Sequence, residues 1–141
     1  MKSILIICTG NSCRSQMAEG WLKAFSPDLE VFSAGTFPAA RVSSKAIVVM
    51  KEAGIDIGGH TPKLVDRFID MPFDYVVTVC DDANETCPVF SGRVGRRLHI
   101  SFEDPTNAVG TEKEVLEAFR KTRDEIKNRF RVLYEEELGE S

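Results

Sequence analysis

Cys8 and Arg14 are the residues of this chain best spaced for chemistry. They end the heptad Cys8-Thr9-Gly10-Asn11-Ser12-Cys13-Arg14, which an apolar run precedes and Ser15 follows. The order sets a thiol and a guanidinium at the two ends of a short loop of small residues. Backbone N–H groups of such a loop can point inward and bind a tetrahedral dianion, helped by the N-terminus of a following helix. Arg14 adds a planar fork that holds two oxygens at once. The same positive field favours the thiolate of Cys8, the nucleophilic form, aimed at whatever anion fills the loop. Taken singly, Cys8 also reads as a buried strand-end cysteine and Arg14 as a surface charge. The flexible Gly10 and the polar Thr9, Asn11, Ser12 and Ser15 favour the oxyanion cradle. A nucleotide P-loop is excluded, because no Gly-Lys-Ser/Thr follows the glycine at the required spacing.

Two elements must hold that loop. Residues 2–7 predict a short buried strand, and residues 16–25 a helix with Met17, Trp21, Leu22 and Phe25 on one side. Residues 29–33 predict a second strand. Residues 43–53 predict a helix closed by Gly54, with Ile55 placed to pack back. A short helical or irregular segment over 63–69 leads to a third strand over 74–79, rich in β-branched residues, and a fourth over 97–100. Thr111-Glu112-Lys113-Glu114 forms a capping box for a long helix with Val115, Leu116, Phe119, Ile126, Phe130 and Leu133 toward the core. Strands alternating with helices imply an α/β fold with a parallel sheet covered on both faces.

The 141 residues predict one domain, 1–141, large enough for a real core. Apolar runs fall far short of the roughly 20 residues that span a bilayer, and the N-terminal one is too short for a signal peptide, so the chain is expected to be cytoplasmic. Four cysteines without a CxxC pair argue for reactive thiols rather than a disulfide framework. A net charge of −4 offers no broad basic surface, so nucleic acid is not an expected partner.

Cys8-x5-Arg14-Ser15 after a first strand, with Asp104-Pro105 late in the chain, resembles the low-molecular-weight protein tyrosine phosphatase fold. The longer string from Cys8 through Ser15-Gln16-Met17-Ala18-Glu19-Gly20 is similar to the thioredoxin-coupled arsenate reductase branch of that family. So are Ser33-Ala34-Gly35, Met50-Lys51-Glu52-Ala53-Gly54-Ile55-Asp56-Ile57, Val76-Val77-Thr78-Val79-Cys80, Cys87-Pro88 and Arg123-Asp124-Glu125-Ile126. The resemblance implies a four-stranded parallel sheet of order 2-1-3-4, helices on both faces, and a ligand at its C-terminal edge. It implies reduction of arsenate to arsenite by a relay of Cys8, Cys80 and Cys87, regenerated by thioredoxin. Residues Thr9, Gly10, Asn11, Ser12, Cys13, Arg14 and Ser15 would bind the oxyanion, and Asp104 would protonate the departing oxygen. No metal or organic cofactor and a monomer are expected. In that branch Asn11, Glu19, Ser33 and an aspartate surround a potassium ion. Lys63 stands where the aspartate would be, which predicts no potassium-specific effect and an ammonium reaching toward Glu19 or Asn11; the other reading is a Lys63 that points into water beside a weak potassium site. The alternative is a phosphatase of the same fold using Cys8, Arg14 and Asp104, although residues 105–110 lack the aromatics that flank a phosphotyrosine pocket.

Apart from the resemblance, Cys80 and Cys87 also read as ordinary helix cysteines or as two ligands of an incomplete metal site. Asp104-Pro105 also reads as a turn, and Glu103 is a second candidate acid. Cys13 is incidental to catalysis, and His60 and His99 are packing or hydrogen-bonding residues. If residues 80–90 are helical, Cys80 and Cys87 lie about 10.5 Å apart along the axis. That exceeds the roughly 7 Å limit on bridgeable Cα atoms, so joining them must unwind the helix.

Overall fold

The computed structural model describes residues 2–81 and 89–138. Strands β1 (Ser3–Cys8), β2 (Glu30–Gly35), β3 (Phe73–Thr78) and β4 (Val94–His99) form one parallel sheet in the order β2-β1-β3-β4. The helices are α1 (Arg14–Phe25), α2 (Ser44–Glu52) and α3 (Glu112–Leu133), with 3₁₀ turns at Val65–Phe68 and Pro105–Asn107 and a π-helical turn at Tyr134–Leu138. The order agrees with the expectation.

β1 is apolar at every position from Ile4 to Cys8 because both its faces are covered. Ile4, Ile6 and Cys8 point into a core shared with Met17 and Leu22 of α1, Val49 and Met50 of α2, and Phe119, Ile126 and Phe130 of α3. Leu5 and Ile7 point to the other face, where Phe68, Phe73 and Phe90 pack with Phe32. The helix ends follow local chemistry. Thr111 and Glu114 close the capping box of α3. Gly54, at φ 85°, ends α2, with Ile55 N–H donating to Met50 O and Gly54 N–H to Lys51 O, the two bonds of a Schellman motif. Of the apolar positions expected to face inward on α3, Phe119, Ile126, Phe130 and Leu133 are buried, and Val115 and Leu116 are partly buried against the same core.

The boundaries differ from the sequence reading where polarity misleads. β4 starts at Val94 rather than 97 and is largely exposed at the sheet edge, so Gly95 and Arg96 carry no buried-strand signature. α1 begins at Arg14, two residues before the expected start at residue 16. The helix expected over 80–90 falls mostly on residues 82–88, outside the described residues; Cys80, Asp81, Val89 and Phe90 are in no regular element. Among the described residues no helix is long and apolar enough to cross a membrane.

Candidate active site

β1 ends at Cys8 and α1 starts at Arg14, so residues 9–13 are the whole connection. Their carbonyls are pinned from outside by the chain that follows β2. Phe37 N–H donates to Thr9 O (2.9 Å), Ala39 N–H to Gly10 O (2.9 Å) and Ser43 N–H to Ser12 O (2.8 Å). In a planar trans peptide the N–H points away from its carbonyl. Fixing these three carbonyls outward therefore turns the N–H groups of Gly10, Asn11 and Cys13 the other way, toward the space above Cys8. Gly35, paired with Cys8 across the sheet, makes the fit possible: a Cβ there would overlap Thr9 O and lie 3.0 Å from Asn11 N.

Cys8 is buried, and its Sγ lies 2.9 Å from Ser15 Oγ and accepts from Asn11 N–H at 3.2 Å. Asn11 is the one described non-glycine residue with positive φ, 48°, a conformation asparagine tolerates better than most residues. Its side chain fixes the direction of the hydrogen bonds around the thiol. Lys63 backbone N–H can only donate, so Asn11 Oδ1, 2.9 Å away, is the acceptor end of the amide. Asn11 Nδ2 then faces Ser15 Oγ at 2.7 Å and donates to it, which leaves the Ser15 hydrogen to point at Cys8 Sγ. Two donors, Asn11 N–H and the Ser15 hydroxyl, thus converge on Cys8 Sγ.

Arg14, buried in the first turn of α1, donates from Nη1 to Phe102 O (3.2 Å) and places Nη2 3.5 Å from Asp104 Oδ2. The other carboxylate oxygen of Asp104 accepts from Thr106 N–H and its hydroxyl, capping the 3₁₀ turn opened by Pro105. Asp-Pro is thus a turn and a positioned carboxyl at once. Glu103 is exposed, and it is Asp104 that meets Arg14. Cys13 has its thiol pushed well above the ordinary value by burial, then by the negative charges of Asp104 and Cys8, against the opposing pull of Arg14. It stays a protonated thiol that contributes its backbone to the loop.

Behind the loop lies a buried charge. Glu19 is nearly inaccessible; Oε1 accepts from Ser33 Oγ and Oε2 from Lys23 Nζ, both at 2.6 Å, and His60 Nδ1 is 3.7 Å from Oε2. The Lys63 ammonium donates to Thr61 O (2.9 Å), while its backbone N–H takes Asn11 Oδ1. The expectation that this ammonium reaches Glu19 or Asn11 is corrected: Lys23, one helical turn on, is the cation in contact with Glu19. The ammonium of Lys63 is nonetheless held below its usual value by burial, opposed by the attraction of Glu19. These residues do not fit a potassium ion. The carboxylate oxygens of Glu19 and the amide oxygen of Asn11 already receive hydrogens, and two ammonium groups supply the local positive charge.

Cys80 is buried two residues beyond β3, which adjoins β1, with Val79 N–H donating to Ile7 O at 2.9 Å. It is disulfide-bonded, whereas Cys8 and Cys13 are free. Cys87 lies outside the described residues. His99 bonds Thr78 Oγ1 at 2.7 Å and His60 bonds Gln16, the structural parts expected of them. The sequence reading did not single out Gln16 or Lys23. The signal for Gln16 was faint, because α1 is buried at nine consecutive positions, Arg14 to Leu22, and only the structure separates polar residues there from the apolar face.

The chain is 46% identical over 135 residues to an arsenate reductase of Bacillus subtilis, a match covering 95% of this chain and 96% of that one. Among solved structures it is similar to an arsenate reductase in the phosphate binding state, with a TM-score of 0.79 and 34% identity over 94% of this chain and 96% of that one. It is also similar to a thioredoxin-dependent arsenate reductase of Corynebacterium glutamicum, with a TM-score of 0.68 and 28% identity over 96% of this chain and 61% of that one. The family profile of the low molecular weight phosphotyrosine protein phosphatases matches residues 3–141, and with the cysteine, the anion loop and the Asp-Pro carboxyl gathered at one sheet edge, the chain belongs to that family.

Proposed function

We propose that this chain is a cytoplasmic arsenate reductase working through Cys8, Cys80 and Cys87, with thioredoxin as the final reductant. Cys8 thiolate attacks the arsenic of arsenate, held by Arg14 and the amides of residues 9–15, and Asp104 protonates the departing oxygen, which leaves as water. Cys80 thiolate then attacks Cys8 Sγ. The arsenic–sulfur bond breaks with its electron pair going to arsenic, which leaves as arsenite, and a Cys8–Cys80 disulfide remains. Cys87 attacks Cys80, freeing Cys8, and the Cys80–Cys87 disulfide passes to a dithiol of thioredoxin. No metal or organic cofactor takes part.

The observation that carries this reading is Cys80 in a disulfide, two residues past the strand beside β1, while Cys8 is free. A phosphatase needs Cys8, Arg14 and Asp104 but no second cysteine. The curated relative named arsenate reductase and the neighbour described as thioredoxin-dependent support the same choice. Hydrolysis of aryl phosphates at a low rate is expected beside reduction, because phosphate and arsenate are near-isosteric and the cradle serves both.

The test is arsenite production with thioredoxin, thioredoxin reductase and NADPH, beside an aryl phosphate assay. Cys8→Ser is expected to abolish both activities. Cys80→Ser and Cys87→Ser are expected to abolish multiple-turnover reduction and leave hydrolysis in place. Wild-type turnover of arsenate by Cys87→Ser would sink the three-cysteine relay.

A further inference from the structure

The Gln16 amide is fully buried in the first turn of α1 and joins the anion loop at Asn11 to the neighbouring segment at Thr61. Its nitrogen lies 3.1 Å from Asn11 O, 3.2 Å from Asn11 Oδ1 and 3.2 Å from Thr61 O. Two of these acceptors are backbone carbonyls, which can only accept, so the NH₂ end is fixed there without ambiguity. The amide oxygen therefore faces His60 Nδ1 at 3.0 Å, and that ring nitrogen must carry the hydrogen. His60 suits a neutral donor: burial holds its imidazole below the ordinary value, helped by Lys23 and Lys63 and opposed by Glu19 and Asp56.

We propose that Gln16 is a positioning residue for the nucleophile, holding Asn11 in its left-handed conformation so that Asn11 N–H and, through Asn11 Nδ2, the Ser15 hydroxyl are aimed at Cys8 Sγ. Backbone groups at the start of this chain of hydrogen bonds, Lys63 N–H and the carbonyls that fix Gln16, give it one direction. Lys63 N–H and Gln16 Nε2 converge on Asn11 Oδ1, Asn11 Nδ2 donates to Ser15, and Ser15 donates to Cys8. Without Gln16, Asn11 O and Thr61 O lose a buried donor, and Asn11 keeps one of the two donors to its amide oxygen. The inference deepens the proposed reaction and rests on Cys8 being its nucleophile.

The measurement is carbamidomethylation of Cys8 in the reduced chain by iodoacetamide, followed by peptide mapping over a range of pH. Gln16→Met keeps the side-chain volume and removes both polar ends. It is expected to slow Cys8 alkylation at neutral pH at least about tenfold, the effect of one lost hydrogen bond to a charged group, and to move the pH profile of alkylation upward. Ser15→Ala with Gln16→Met is expected to react no more slowly than Ser15→Ala alone apart from the share carried by Asn11 N–H, because the two residues act in series. A Gln16→Met profile that coincides with wild type would overturn the proposal, and so would fully additive slowing in the double variant. Should Gln16→Met not fold, the wild-type chain supplies the test by NMR. The Gln16 and Asn11 side-chain amide signals are expected to shift when Cys8 is alkylated, and unmoved signals overturn the proposal. Alkylation needs no arsenate, so failure of the reduction assay and failure of this inference are separate results.

Discussion

Gly35 shows how a residue without a side chain governs the chemistry of one that has it. β2 must pass close to the anion loop for the chain after it to take the loop carbonyls, and only a hydrogen fits where a Cβ would strike Thr9 O. Neither backbone can yield without moving the loop N–H groups turned toward the space above Cys8. Gly35→Ala is therefore expected to lower stability by about 1–3 kcal/mol, the usual cost of overpacking. It is also expected to slow Cys8 alkylation more than a remote variant of equal stability does. Denaturant unfolding and alkylation rates check both, and unchanged alkylation in a destabilised Gly35→Ala would mean that the loop absorbs the methyl elsewhere. Ser33-Ala34-Gly35 was legible in the sequence only as part of a resemblance. The reason for the glycine needed the register of Cys8 opposite Gly35.

At the scale of elements, helices were read well where caps and periodicity agreed, as at Thr111 and Gly54, and strands where both faces are apolar, as in β1. The edge strand β4 was read short, and the first turn of α1 was read as loop because it carries the polar residues of the site. The polar contacts between α2 and α3 were not legible, since they are made by long charged side chains beside the shared apolar core. Arg120 Nε and Nη2 meet Glu52 Oε1 and Oε2 at 3.0 and 2.9 Å, Arg120 also pairs with Glu117, and Arg123 Nη1 reaches Glu52 Oε1 and Val49 O. The hydrogen bond from Arg120 is the main cause holding the Glu52 carboxyl below its ordinary value, with Arg123 adding to it and burial opposing. A carboxylate depressed in the folded state adds stability above its unfolded pKa and loses it as the pH falls through the folded value. Glu52→Gln is expected to lower Tm slightly at neutral pH, with the gap to wild type closing in acid and narrowing in high salt, because the group is exposed. An equal gap at every pH would assign the effect to packing instead.

For the whole molecule, the strand order is what turns distant cysteines into candidates for one reaction, because β1 ends at Cys8 and its neighbour β3 ends two residues before Cys80. That arrangement was legible from the alternation of elements together with the resemblance; the charge balance beneath the site was not. Glu19 on α1 is buried against Ser33 of β2, and its negative charge must be matched from within or from solution. Lys23 matches it at 2.6 Å, and the half-buried Lys63 adds a second positive charge that the field of Glu19 reaches. A potassium ion entering this cluster would meet both ammonium groups. Like charges about 4 Å apart repel by roughly 4 kcal/mol at an effective dielectric of about 20, far more than a loosely held monovalent ion recovers from oxygens already engaged by donors. Tm and kcat/KM are therefore expected to be the same in potassium and sodium salts at equal ionic strength, a comparison that removes general screening. A potassium-selective rise in either quantity would mean that Lys23 swings out to solvent and that Glu19 accepts an ion in its place.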